Sequence, residues 1–79
     1  MRLPSPAQVR AARAMLNWSK IDLAKAASVS VSTVLNLEGR DPERVSGGSA
    51  GAIRVALETA GVWFIQDDSE ATGVMLCPR

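Results

Sequence analysis

The 79-residue chain has no histidine, no tyrosine and a single cysteine, Cys77, and its aromatic residues are limited to Trp18, Trp63 and Phe64. One cysteine excludes an internal disulfide, and without a Cys/His cluster no structural zinc site is expected, which fits a reducing, intracellular compartment. The same shortage argues against an enzyme, because the chain offers no general base, no nucleophile with a partner and no phosphate-cradling glycine loop. No cofactor is therefore expected. Long apolar runs are also missing: nothing approaches the ~20 residues needed to cross a bilayer, and "MRLPSPAQVR" lacks the apolar stretch of a signal peptide. A soluble cytoplasmic protein without a membrane partner is expected. The length accommodates one domain, residues 1–79, and a core of this size supplies only ~3 to 5 kcal/mol of net stability, so self-association would help it.

Charge is balanced in sum and uneven in place. The formal net charge is +1, yet residues 1–44 carry seven Lys/Arg against four Asp/Glu, and residues 45–79 carry two against four. The first half is the half to meet phosphate.

Ser5, Pro6 and Gln8 form a helix start, with serine accepting from orphan amides, proline at the first helical position and glutamine reaching back. That helix is expected to run to about Leu16 with Val9, Ala12 and Leu16 on one face and Arg10 and Arg13 off it, closed by Asn17 and Trp18. A second capping box, Ser19 with Asp22, opens a short helix to about Ala27 whose inward side is Leu23, Ala24 and Ala27. After a turn at Ser28 and Val29, Ser30 caps a third helix with Val34 and Leu37 buried and Gly39 as its stop. Helices joined so tightly must cross steeply. "RDPERVSGG" is loop by composition; a fourth helix spans about Ser49 to Ala60, with Ile53, Ala56, Leu57 and Ala60 on one face, ended by Gly61. "VWFI" and "GVMLC", separated by the polar "QDDSEAT", predict a C-terminal β-hairpin over about 62–77.

The third helix poses the functional question. With Val34 and Leu37 turned inward, Val31, Ser32, Leu35 and Asn36 lie on its other faces, and small polar side chains there contribute little to a core. They suit the major groove of DNA, whose base edges present donors, acceptors and the thymine methyl. The helix starts at Ser19 and Ser30 add amides and partial positive charge for phosphate.

"RAARAMLNWSKIDLAKAASVSVSTVLNLEGR" resembles the helix-turn-helix of the Cro and phage-repressor class, the XRE family of bacterial regulators, and "AIRVALETAGVWFIQDD…GVML" resembles the tail of a compact subgroup ending in a hairpin. The resemblance covers roughly residues 8–76 and rests most on the spacing of Ala24, Val29, Ser30, Val34 and Leu37. It implies a mainly α, lambda-repressor-like domain of four to five helices with the helix-turn-helix at about 19–39, a recognition helix from Ser30 to Glu38, and double-stranded DNA as partner. Val31, Ser32 and Asn36 match the base-reading positions, Ser30 and Thr33 the cap and phosphate positions, and Lys20 a position facing the backbone. Ser28 departs from the pattern, in which glycine is common at that turn.

Other residues have plainer readings beside the functional ones. Trp18 is expected to plug the core, since no second aromatic is near enough to build a stacking platform. Arg40 and Arg44 are either solvated loop charges or backbone-phosphate contacts just past the recognition helix. Asp67, Asp68 and Glu70 solvate a turn and lack a further ligand for a metal, and Cys77 is an ordinary thiol. The strand Val62, Trp63, Phe64, Ile65 is apolar on both faces, more than a two-stranded sheet can cover alone, and is the expected interface of a homodimer that sets two recognition helices about one DNA turn apart. A dimeric transcriptional repressor is the expected function. The alternative keeps the fold but makes the chain an antitoxin or adaptor that binds a protein partner through the "VWFIQDD" strand edge.

Overall fold

Four helices and an antiparallel hairpin follow one another in chain order: α1 (Pro6–Leu16), α2 (Lys20–Ala27), α3 (Val31–Leu35), α4 (Gly47–Thr59), β1 (Val62–Gln66) and β2 (Thr72–Leu76). The structure is a computed structural model and describes residues 4–66 and 72–76. The acidic turn with Asp67, Asp68 and Glu70, the thiol of Cys77 and the side chain of Arg40 lie outside the described residues. α3 continues into one wider helical turn over Asn36–Arg40, in which Asp41 N–H donates to the Asn36 carbonyl at 3.2 Å, and a 3-10 turn over Pro42–Arg44 leads to α4.

The starts of the first three helices are those the serines announce. Ser5 Oγ accepts from Gln8 N–H at 3.2 Å while Gln8 Oε1 accepts from Ser5 N–H at 2.8 Å, and Ser19 and Asp22 exchange the equivalent bonds at 3.0 and 2.9 Å. Ser30 Oγ accepts from Thr33 N–H at 3.1 Å. Each satisfies amides that a helix leaves without internal partners, worth about 1 kcal/mol per cap.

α1 and α2 end alike. Asn17 and Ser28 are both left-handed at φ 57°, and the next amide reaches back five residues, Trp18 to Arg13 O at 2.9 Å and Val29 to Ala24 O at 3.0 Å. Asparagine tolerates this conformation; serine pays about 1 kcal/mol for it. Ser28 is exposed and sits where glycine fits without strain. Ser28→Gly is therefore expected to raise the unfolding free energy by about 0.5 to 1 kcal/mol, part of the gain being offset by the freer unfolded chain. Urea melts should show a higher midpoint with an unchanged slope; an unchanged or lower midpoint contradicts the strain at this turn.

The core gathers one stripe from each element. Val9 and Ala12 of α1, Leu23 of α2, Val34 of α3, Ile53 and Leu57 of α4 and Val62 of β1 are all at or below 1% exposure, and Trp18 packs half-buried against them. The inward sets read from periodicity in α1 to α3 are those observed, except that Leu16 is only half-buried.

α4 differs from expectation at its start. It begins at Gly47 rather than about Ser49, because Ser46 and not Ser49 is the cap, its Oγ accepting from Ser49 N–H at 3.1 Å. Glycine weakens a helix interior by about 1 kcal/mol, but the first-turn amides have no helical partner, so the cap decides the boundary. Ala50, which is not among the expected inward residues of this helix, lies in the core at 3% exposure.

The hairpin pairs Val62 with Leu76, Phe64 with Val74 and Ile65 with Gly73. Alternation puts Val62, Phe64 and Val74 on the face that covers the helices and Trp63, Ile65 and Met75 on the outer one, at 61, 47 and 48% exposure. Val62 is 1% exposed and belongs to the core, so it is withdrawn from the expected dimer interface. Phe64 is withdrawn with it: the ring packs half-buried on the core with the Arg54 guanidinium 5.4 Å from its centroid.

Candidate nucleic-acid interface

α2 and α3 are joined by a short turn, left-handed at Ser28 and followed by Val29 and the Ser30 cap, and α3 presents one side to solvent. Val34, Leu37 and Glu38 are buried on the inner side; Val31 and Ser32 are exposed, and Leu35 and Asn36 half-buried, on the outer one. Residues 31 and 35, and 32 and 36, are each four apart and lie in adjacent rows of that outer side. The three expected base-reading residues are thus brought together on one surface. Among the described residues no side-chain hydrogen bond engages exposed Ser32 or half-buried Asn36.

The expected phosphate contacts divide. Ser30 and Thr33 turn their hydroxyls toward each other at 2.8 Å at the head of α3, where each oxygen keeps capacity for a further bond. At the head of α2 the Asp22 carboxylate already accepts from Ser19 N–H, so the end carries its own anion, with Lys25 acting on it; Lys20, the first residue of the helix, is half-buried. The Asp22 carboxyl is held below the usual carboxylate range, first by the Ser19 amide and then by its hydroxyl. Its capping contribution is therefore present above the ordinary carboxylate pKa and lost as pH falls through the lowered value. Arg44 is 76% exposed with a long 3.7 Å pairing to Asp41 and is free to reorient.

Two arginines have a role that their sequence positions did not disclose. Arg13 grips the Glu38 carboxylate with both Nε and Nη2, at 2.9 and 2.8 Å, and donates from Nη1 to the Trp18 carbonyl at 3.0 Å. Arg10 donates from Nη1 to the Glu38 carbonyl. α1 thereby holds the far end of α3 by side chain and backbone together. Bonding to Glu38 raises the Arg13 pKa above its ordinary value, against the effect of burial, so the cation persists at every working pH. One signal was available: Glu38 follows Leu37 on the inward stripe of α3, and a carboxylate there needs a cation.

Elsewhere, an open apolar groove of about 670 Å³ lies between α2 and α4, lined in part by Trp18, Ala26, Gly51, Ala52 and Val55. Among the described residues no group of His, Cys, Asp or Glu is arranged to hold a metal, and no helix is long and apolar enough to cross a membrane. Compared with known proteins, the chain matches no family model and no curated protein.

Proposed function

We propose that the chain is a sequence-specific double-stranded DNA-binding protein of the XRE type, working in the cytoplasm as a homodimeric transcriptional repressor. The observation that carries the reading is the division of this segment, with Val34 and Leu37 buried while Val31 and Ser32 stand exposed and Asn36 half-buried, offering methyl, hydroxyl and amide groups. Such groups match major-groove edges, and Lys20 at the head of α2 and exposed Arg44 in the 3-10 turn supply cations for phosphate on the neighbouring elements. Repression asks for occupancy of a promoter and nothing more. The dimer is supported by the outer hairpin face, where Trp63, Ile65 and Met75 stand open on a chain whose small core would gain from burying them.

Asn36→Ala and Ser32→Ala are each expected to weaken the cognate site by about 1 to 3 kcal/mol while leaving random DNA almost unaffected. Lys20→Ala is expected to weaken all duplexes alike and to flatten the salt dependence by about one unit of slope. Titration by fluorescence anisotropy over a range of salt separates the two patterns. Equal losses on cognate and random duplexes for Asn36→Ala remove it from the reading set. The same exposed hairpin face favours a second reading, an adaptor that holds a protein partner there; a stoichiometric partner together with no retained duplex of any sequence would select it.

A further inference from the structure

We propose that Gln8 is a positioning residue that fixes the angle between the hairpin and the DNA-reading helices, and so sets the half-site spacing that the dimer accepts. The inference rests on the DNA-binding dimer reading above and adds to it the group that makes the geometry rigid.

Gln8 is 3% exposed, on the first turn of α1. Its Oε1 accepts from Ser5 N–H at 2.8 Å, while its Nε2 donates to Ile65 O at 3.2 Å and to Gly73 O at 3.0 Å. Ile65 and Gly73 face each other across the hairpin, so a single amide grips both strands at one rung and ties that rung to the start of α1. Both Nε2 hydrogens are used, and no other natural side chain offers two such donors and one acceptor at this reach except asparagine, which is a methylene shorter.

The position along the hairpin gives the bond its consequence. The near end is held by the chain itself, since Val62 follows Gly61 and is sealed in the core. Apolar contacts from Phe64 and Val74 support the middle without direction, because hydrophobic burial is indifferent to small rotations. Ile65 and Gly73 are three residues farther out than Val62 and Leu76, and Gln8 fixes them with directional bonds. A lever held at two points does not swing. The outer side chains Trp63, Ile65 and Met75 ride on that lever, so the two-fold axis of a dimer formed through them stands at a set angle to α3. A change of that angle moves the two reading helices relative to each other, and a helical duplex converts such a displacement into a different preferred spacing between half-sites.

The test compares the full-length wild type with Gln8→Met, which keeps length and loses both donors, and Gln8→Glu, which keeps shape and turns an acceptor toward the two carbonyls. A duplex carrying one half-site and a series carrying two at increasing separations are titrated with each. For the wild type, the best spacing should exceed its one-base-pair neighbours by about tenfold, and both variants should flatten this preference to about twofold while binding the single half-site as the wild type does. Variants that keep the single-half-site affinity and the sharp spacing preference overturn the proposal. A wild type that binds no duplex, or binds without regard to spacing, removes the underlying reading and this inference with it. Because single-half-site binding reports an intact fold, and because two chemically different replacements are used, a merely destabilised protein is distinguished from a loosened one.

Discussion

Glu38→Ala is expected to lower the unfolding free energy by about 3 kcal/mol, close to the whole net stability of so small a domain. The Glu38 side chain is 4% exposed and the Arg13 side chain 20%. Removing the carboxylate leaves the guanidinium half-sunk with its Nε and Nη2 donors stranded, and that desolvation outweighs the modest worth of the pair itself. Partial exposure of Arg13 keeps the figure at the lower end of what buried pairs show. Thermal unfolding by circular dichroism should report a midpoint lower by on the order of 15 °C. The double replacement Arg13→Met with Glu38→Leu should recover most of the loss, since matched apolar groups need no partner. A Glu38→Ala midpoint within a few degrees of wild type would show the pair to be open to water and idle. The proposed DNA binding should suffer with stability, because this pair and the Arg10 bond to the Glu38 carbonyl hold the turn that continues α3.

Leu23→Ala should cost a comparable amount, about 3 kcal/mol, by a different route. Leu23 of α2, which packs against α4, is fully buried in the same core cluster as Val9, Ile53 and Leu57, all of them fully buried as well. Truncation forfeits the transfer free energy of the lost carbons and opens a void that tight neighbours cannot close. No paired substitution on a charged residue should rescue it, which separates it from Glu38→Ala. Denaturant melts with a preserved slope would assign the loss to packing; a loss under 1 kcal/mol would mean that the helices collapse onto the gap.

The local code of this chain was legible and its long-range code was not. Ser5, Ser19 and Ser30 announce three helix starts by side chain, and Val9, Leu23, Val34, Ile53 and Leu57 show their inward faces by spacing. The same arithmetic put Ser32 and Asn36 away from the core side of α3, where Ser32 is exposed and Asn36 half-buried. Period alone could say that Val62 and Phe64 oppose Trp63 and Ile65, but not which pair goes in. That choice is made by the exit from α4, where Gly61 at φ 108° turns Val62 directly down onto the core. Contacts far apart in sequence were invisible for the same reason: Arg13 and Glu38 are 25 residues apart, and Gln8 and Gly73 are 65. Gln8 looked complete as half of a capping box, yet its second polar atom serves the hairpin.

The central claim is that the outward side of α3 reads a DNA duplex, and selection of bound sequences from a random duplex pool tests it most directly. Wild-type protein should enrich a two-fold-symmetric pair of half-sites with centres about one helical turn apart, and the Ser32→Ala, Asn36→Ala double variant should lose base preference at specific positions within each half-site. A pool that emerges unenriched at low salt, or a motif that the double variant reproduces base for base, contradicts the account.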